Sequence, residues 1–365
     1  MFIYVLLIIL SLVVLIRNGF FNYKKHNDRS FVGCLLILLF VLVGMFRDTT
    51  IGTDIGLGGG YNDFWLSPNG FEREIEPLFT YFTFVIKRIS NSYYFYYSLI
   101  FFLNILFYYF ACKNIGISFS LFLAILFLSS LLTPSFNVIR QMLALSVGLY
   151  MYSVFYYGKP ITVRNIVLYE ISIIVCSQIH TSVILLGIIP IFDIPAVGSL
   201  FSKTWFLSLI AIICVLLSSS GLNQIIQLAL KFSGIFGERA DMYLNMVEIY
   251  DIGRTHGFVS DVINFVLIII LSKNNRNNLF RICFCGYAFS CLAAATLSYI
   301  GRAFDNLTIF SCLYFAQNWK FFIPYNKNKL LTTGAMILRV VFWLTSVYYT
   351  VLQNNSICPY DSFLF

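Results

Sequence analysis

Apolar runs follow one another along almost the whole chain with no long polar linker between them. This confines the fold more than any other feature. A run of roughly 17–25 apolar residues crosses a bilayer as a helix, and shorter runs do so where a bundle shields them. Lipid offers no partner to backbone polar groups, so a spanning segment must satisfy its own. Twelve such runs are read, at about 2–16, 31–46, 93–112, 117–132, 136–157, 164–178, 180–192, 204–219, 258–272, 279–298, 303–319 and 330–352. The expected fold is all-α: one polytopic integral membrane bundle over residues 1–365.

Composition excludes the soluble alternatives. Charged residues make up 11% and hydrophobic ones 59%, against about 25% charged in soluble domains. The net charge of +8 is no nucleic-acid signal, because no basic run is interleaved with aromatics in a soluble segment. Eight of the nine cysteines fall in apolar segments and no C-x-x-C pair occurs, so neither a zinc site nor a disulfide framework is indicated. The run Phe2 to Ile16 lacks a basic lead and a small-residue cleavage site, and is read as a retained first span.

Basic residues set the orientation. Placing the loop from Arg17 to Arg29 in the cytoplasm puts fourteen Lys/Arg and two acids (Asp28, Asp193) in the inside connections. The outside segments then hold nine basic and thirteen acidic residues. That is the positive-inside bias. The apolar segment from Glu76 to Arg88 is too short to span, and Pro77 suits a first helical turn. It is read as an interfacial helix over 76–90. Two large outer loops result, 47–92 and 220–257, the second carrying a polar run with Arg239, Tyr243, Arg254 and His256.

On this topology the polar residues that could do chemistry converge on the outer face. In N137-V-I-R-Q141, Asn137, Arg140 and Gln141 lie three and four apart and share a helical face. A guanidinium offers phosphate oxygens a rigid fork of donors; the plainer reading is Arg140 snorkelling to the interface. Arg47 and Asp54 frame a glycine-rich stretch that ends at Tyr61, where glycines let a backbone approach a ligand. A solvated tight turn explains that stretch as well. Glu72 and Glu76 suit a helix start, and capping alone explains them. His180 closes the sixth span with Thr181 and Ser182 after it; it is a proton acceptor at neutral pH or a packing residue. Arg302 stands in a short outer turn. Glu170 and Arg339 lie deep in apolar runs, and mutual pairing is expected of them. The tyrosines of Y93-Y-F-Y-Y97 suit lipid-facing packing or a sugar groove.

Taken in order, these segments resemble the bacterial O-antigen and exopolysaccharide polymerases, the Wzy and EpsG-like group. The resemblance rests on V43-G-M-F-R-D-T-T-I-G-T-D54 with Tyr61, E76-P-L-F79, N137-V-I-R-Q141, His180 and G301-R302. It covers most of the chain through spaced short motifs. It implies a GT-C-like glycosyltransferase in the bacterial inner membrane, its site facing the periplasm, with interfacial helices in its outer loops. The implied reaction moves a growing glycan from undecaprenyl pyrophosphate to a lipid-linked repeat unit. The implied partners are that lipid-linked oligosaccharide, membrane lipid and a chain-length regulator protein, with no nucleic acid. No cofactor is implied, and without a D-x-D pair no metal. Under that resemblance Arg140 and Arg302 would hold the pyrophosphate, with Arg47 as a third cation, and His180 or Asp54 would be the base. Asn137, Gln141, Glu76 and Tyr61 would orient sugar or phosphate oxygens, with Arg239, Tyr243 and Arg254 as further substrate contacts. A lipid-linked glycan flippase, another GT-C transferase or an O-antigen ligase are the rival readings.

Overall fold

The computed structural model describes residues 2–20, 30–48, 51, 60–68, 75–136, 138–219, 258–272, 275–294, 306–319 and 329–348. Among them the regular elements are helices, and no strand forms. In order these are α1 (Phe2–Phe20), α2 (Phe31–Met45), α3 (Tyr61–Leu66), α4 (Pro77–Ile89), α5 (Tyr93–Ile115), α6 (Phe119–Leu128) and α7 (Ile139–Met151). There follow α8 (Val163–Ser177), α9 (Pro195–Ser202), α10 (Thr204–Ser219), α11 (Phe258–Leu271), α12 (Asn278–Ala294), α13 (Phe310–Asn318) and α14 (Lys329–Val347). Short 3-10 segments lie at Thr133–Phe136 and Thr181–Asp193, and a π-turn at Tyr152–Tyr156.

The chain is a membrane protein whose described residues are all-helical. Among the described residues, Phe2–Gly19 and Tyr93–Ile115 are long and apolar enough to cross a bilayer. Thr181–Asp193 with Pro195–Ser202, bent by 86°, makes a third if the pair is one span. Six further apolar helices are only 10–17 residues long. Two runs read as single spans are interrupted. The run 136–157 divides into α7 and the π-turn. The run 180–192 is a 3-10 helix rather than an α-helix, with Pro190 inside it. Proline removes an N–H and crowds the preceding turn, so an α-helix cannot continue undisturbed through it.

The described helices gather into two compact units, Met1–Gly187 with Phe315–Lys329 and Val340–Phe365, and Ile188–Tyr314 with Leu330–Arg339. In the first unit α5 lies along α7 and α2, and α1 along α6. All ten residues of α6 are buried, as befits a helix apolar on every side. Gly44 lets the Phe101 ring lie on the α2 backbone: a Cβ there would come within 2.0 Å of Cε1. Hydroxyls at the helix starts accept from the first-turn amides, Ser30 from Gly33, Ser92 from Phe95, Ser118 from Leu121 and Thr162 from Asn165. Phe64, Trp65, Phe79, Ile86, Tyr96, Tyr97, Ile100, Ile139 and Leu143 form one buried core. It fastens the short helices α3 and α4 onto α5 and α7. Tyr96 and Tyr97 belong to this core, so they face neither lipid nor a groove.

In the second unit α10 packs against α12 and α11. Arg339, buried there, donates to Asn264 Oδ1 and the Tyr287 hydroxyl, with its guanidinium 5.3 Å from the Tyr287 ring centre. Glu170, in the first unit, has its carboxylate against Gly187, where a Cβ would come within 2.8 Å of Oε2. Within its own unit the arginine thus has neutral hydrogen-bond partners, Asn264 and Tyr287.

Candidate functional site

Four stretches of the first unit meet at one place: the start of α3, the start of α4, the start of α7 and the link after α8. Each is locally determined. Pro77 opens α4 at its first turn, which leaves Glu76 as the residue before the helix. The Glu76 side chain makes no hydrogen bond to its own helix. Capping therefore does not account for it. The start of α4 is docked by its backbone, the Leu78 N–H donating to the Gln178 carbonyl at 3.1 Å. Beneath, Phe79, Thr83 and Ile86 are buried at helical spacing, and the Thr83 and Tyr96 hydroxyls lie 3.1 Å apart. Lys87, in the last turn of α4, reaches back to the Trp65 carbonyl at 2.5 Å, which fixes α3 against it.

Arg140 stands in the first turn of α7 and donates from Nη1 to Glu76 Oε2. Its Nε donates to the Tyr61 hydroxyl at 3.3 Å, and its guanidinium lies 5.8 Å from the Tyr61 ring centre and 5.9 Å from that of Phe79. Nη2 has no hydrogen bond among the described residues. The other Glu76 oxygen, Oε1, accepts from both the N–H and the hydroxyl of Thr181 at 3.0 Å each. Both charged side chains are 17% exposed. The site is thus a half-open charged pair on an aromatic floor.

The electrostatics follow from these contacts. Burial pushes the Glu76 carboxyl up, but the Arg140 guanidinium, the Thr181 N–H and the nearby His180 together outweigh it. Glu76 is held below its ordinary value and stays ionised at neutral pH. His180 lies in the link between α8 and the 3-10 segment. Its burial, opposed by Glu76 and assisted by Arg140, pushes it down to about 4, so the ring is neutral at pH 7. Its Nδ1 is 2.8 Å from the Ser182 hydroxyl and accepts from the Ser182 N–H at 3.3 Å. A neutral ring beside an ionised pair can donate or accept a proton-bearing hydrogen bond, depending on which nitrogen carries its hydrogen.

Of the residues expected to act, Arg140, Glu76, Tyr61 and His180 are brought together. Gln141 is buried on the flank of α7. Arg47 is buried at 0% exposure among the rings of Tyr97, Phe101 and Phe136, with centres 5.2, 5.6 and 4.9 Å from its guanidinium. It donates to the Gly44 carbonyl at 2.7 Å. No hydrogen bond joins it to Arg140 or Glu76. Asp54, Asn137, Arg239, Tyr243, Arg254 and Arg302 lie outside the described residues. Among the described residues no three His, Cys, Asp or Glu side chains gather to hold a metal ion. Sequence reasoning missed Thr181, which holds Glu76 from the far side. The one signal was its place directly after His180 at a helix start.

No curated protein and no solved structure compared with the chain matches it. A family model does, the EpsG family, over residues 30–362. That match takes in α2 to α14 and with them every residue of the charged pair and its supports. The chain belongs to the EpsG family, whose members are exopolysaccharide and O-antigen polymerase-like proteins.

Proposed function

We propose that this protein is a polysaccharide polymerase acting on lipid-linked glycans at the outer face of the bacterial cytoplasmic membrane. In this reading a growing glycan leaves undecaprenyl pyrophosphate and joins the non-reducing end of a second lipid-linked repeat unit. The acceptor hydroxyl oxygen bonds to the anomeric carbon while the bond from that carbon to the pyrophosphate oxygen breaks. The hydroxyl proton passes to a base, Asp54 or His180, and negative charge grows on the departing pyrophosphate. A preorganised guanidinium stabilises that charge in the transition state.

The observation that carries the reading is Arg140 at the mouth of α7, held by Glu76 and Tyr61 through two nitrogens with the third to spare. Fixing a donor fork before the substrate arrives removes the reorganisation that water would otherwise require. Approach by a lipid has support of its own. Leu78, Tyr81, Val85 and Ile89 form an exposed apolar stripe on α4 beside the pair, the pattern of a helix lying in a bilayer surface. The topology assigned from the basic loops, with twelve spans and 47–92 and 220–257 outside, belongs to this proposal. So do Arg302 as a second pyrophosphate ligand, Asn137 and Gln141 as orienting amides, and a chain-length regulator as partner.

The test is the size distribution of the surface polysaccharide in a deletion strain. A polymerase predicts loss of the ladder with a single repeat unit still exported. Loss of every repeat unit from the surface would point to a flippase, and an unchanged ladder would overturn the proposal.

A further inference from the structure

His180 is held in a way that decides which of its nitrogens is available. The Ser182 main-chain N–H donates to Nδ1 at 3.3 Å, and the Ser182 hydroxyl lies 2.8 Å from the same nitrogen. A main-chain N–H cannot accept, so Nδ1 must present its lone pair to it. A neutral imidazole carries one hydrogen, which is then on Nε2. Nε2 has no hydrogen-bond partner among the described residues. The residue next to it, Thr181, grips Glu76 Oε1, while Arg140 grips Oε2. Thr181 and Arg140 thereby hold one carboxylate from its two sides, and His180, the residue before Thr181, lies close enough to feel the charges of both Glu76 and Arg140. His180 and Arg140 each keep an uncommitted N–H donor.

We infer that His180 serves this site as a hydrogen-bond donor through Nε2, completing with Arg140 Nη2 a two-donor seat for an anionic phosphate oxygen, and is not the proton acceptor. The anion half of this inference rests on the polymerase reading; the tautomer half does not. An Nε2–H ring cannot take the acceptor hydroxyl's proton at the nitrogen it offers. The base of the transfer is then Asp54 or another group. Neutral donors suit such a seat, because they add attraction for the leaving group without a second full charge beside Arg140.

The chain has three histidines, His26, His180 and His256, so nitrogen-15 histidine labelling of the intact protein in lipid nanodiscs yields six ring signals. His26→Gln and His256→Gln variants assign them. At pH 7 the expected His180 spectrum has a protonated Nε2 and a bare Nδ1, and added inorganic pyrophosphate shifts the Nε2 signal. His180→Gln, which keeps an N–H donor near the place of Nε2, should retain turnover within about tenfold, whereas His180→Leu should lose about a hundredfold, the effect of removing one transition-state donor. A protonated Nδ1 overturns the inference whatever the chain catalyses. Equal, complete loss in both variants at normal expression overturns it as well. An Nε2–H ring that pyrophosphate leaves unmoved overturns the anion seat. An Nε2–H ring together with an unchanged ladder in the deletion strain overturns the polymerase reading alone.

Discussion

Arg47 and Arg140 are both guanidiniums at the ends of apolar helices in the same unit, yet their surroundings differ in kind. Arg47 is sealed among three aromatic rings and bonded to a backbone carbonyl. Around it, the Tyr97 hydroxyl donates to the Arg47 carbonyl and the Ser98 hydroxyl to the Met45 carbonyl, satisfying acceptors freed where α2 ends. Arg140 is partly exposed, is paired with an acid from a different stretch of chain and keeps one nitrogen uncommitted. A cation that closes a helix end needs acceptors and aromatic faces that belong to the fold. One that binds a ligand needs a counter-charge that holds it without consuming every donor.

Arg47 is where substitution should do most. If the cage is a fastening, Arg47→Leu removes a carbonyl bond and contacts with three rings, each desolvated cation–π contact contributing up to about 2 kcal/mol. The expected result is the largest of any substitution here: little folded protein, or a sharply lowered Tm in detergent. A variant that folds normally and has lost its polysaccharide ladder would instead make Arg47 a substrate ligand. Arg140→Lys should do the reverse. Lysine keeps the charge but not the fork, so Tm should hold while polymerisation falls about a hundredfold, or roughly 2.7 kcal/mol of transition-state stabilisation. A normal ladder from Arg140→Lys would make Arg140 an interfacial anchor.

The half of this contrast that was legible in the sequence is local. N137-V-I-R-Q141 marks Arg140 at a helix start and E76-P77 marks Glu76 at another, because both signals arise within a single turn. That the two residues meet across 64 positions is a product of packing by Phe79, Tyr96 and Ile139, which no short window contains. The surroundings of Arg47 are hidden from a short window for the same reason: its cage is assembled from Tyr97, Phe101 and Phe136, far along the chain. Charge counting alone does not find the neutral Asn264 and Tyr287, which accept from Arg339 within its unit. The run 180–192 read as a span by hydropathy, although Pro190 in its interior already argued against a continuous α-helix.

Glu76→Gln probes the Arg140 pair from the acid side. The amide can still accept from Thr181, but it offers Arg140 no charge, so a severalfold fall in turnover is expected with the fold retained. The pH dependence gives a second reading. Glu76 sits below its ordinary 4.5 when folded, so its contribution to stability is complete above 4.5 and is lost as pH falls through the lower folded value. His180 is pushed from 6.5 to about 4, so the unfolded chain takes up that proton first and stability declines between those values. Both act in the same sense. Tm should fall on acidification in two limbs, the histidine limb first, and Glu76→Gln should remove the lower one. A Tm that rises as pH drops from 6.5 to 4 would mean that His180 is protonated in the folded protein.

Thr181→Val should have the smallest effect and isolate what holds the carboxylate. The substitution keeps the shape and the main-chain N–H at 3.0 Å from Oε1 and removes only the hydroxyl at the same distance. One hydrogen bond to a charged group exchanged for a methyl corresponds to about 1.5 kcal/mol. Glu76 keeps Arg140, so the charged pair should survive, with its carboxylate less firmly aimed. The cage around Arg47 shares no bond with Thr181 and should be untouched. The measurable outcome is a Tm lower by a few degrees and a ladder shifted modestly to shorter chains. If Thr181→Val instead matches Glu76→Gln in lost turnover, the threonine hydroxyl contacts substrate directly, and Arg140 is not the sole polar anchor of the site.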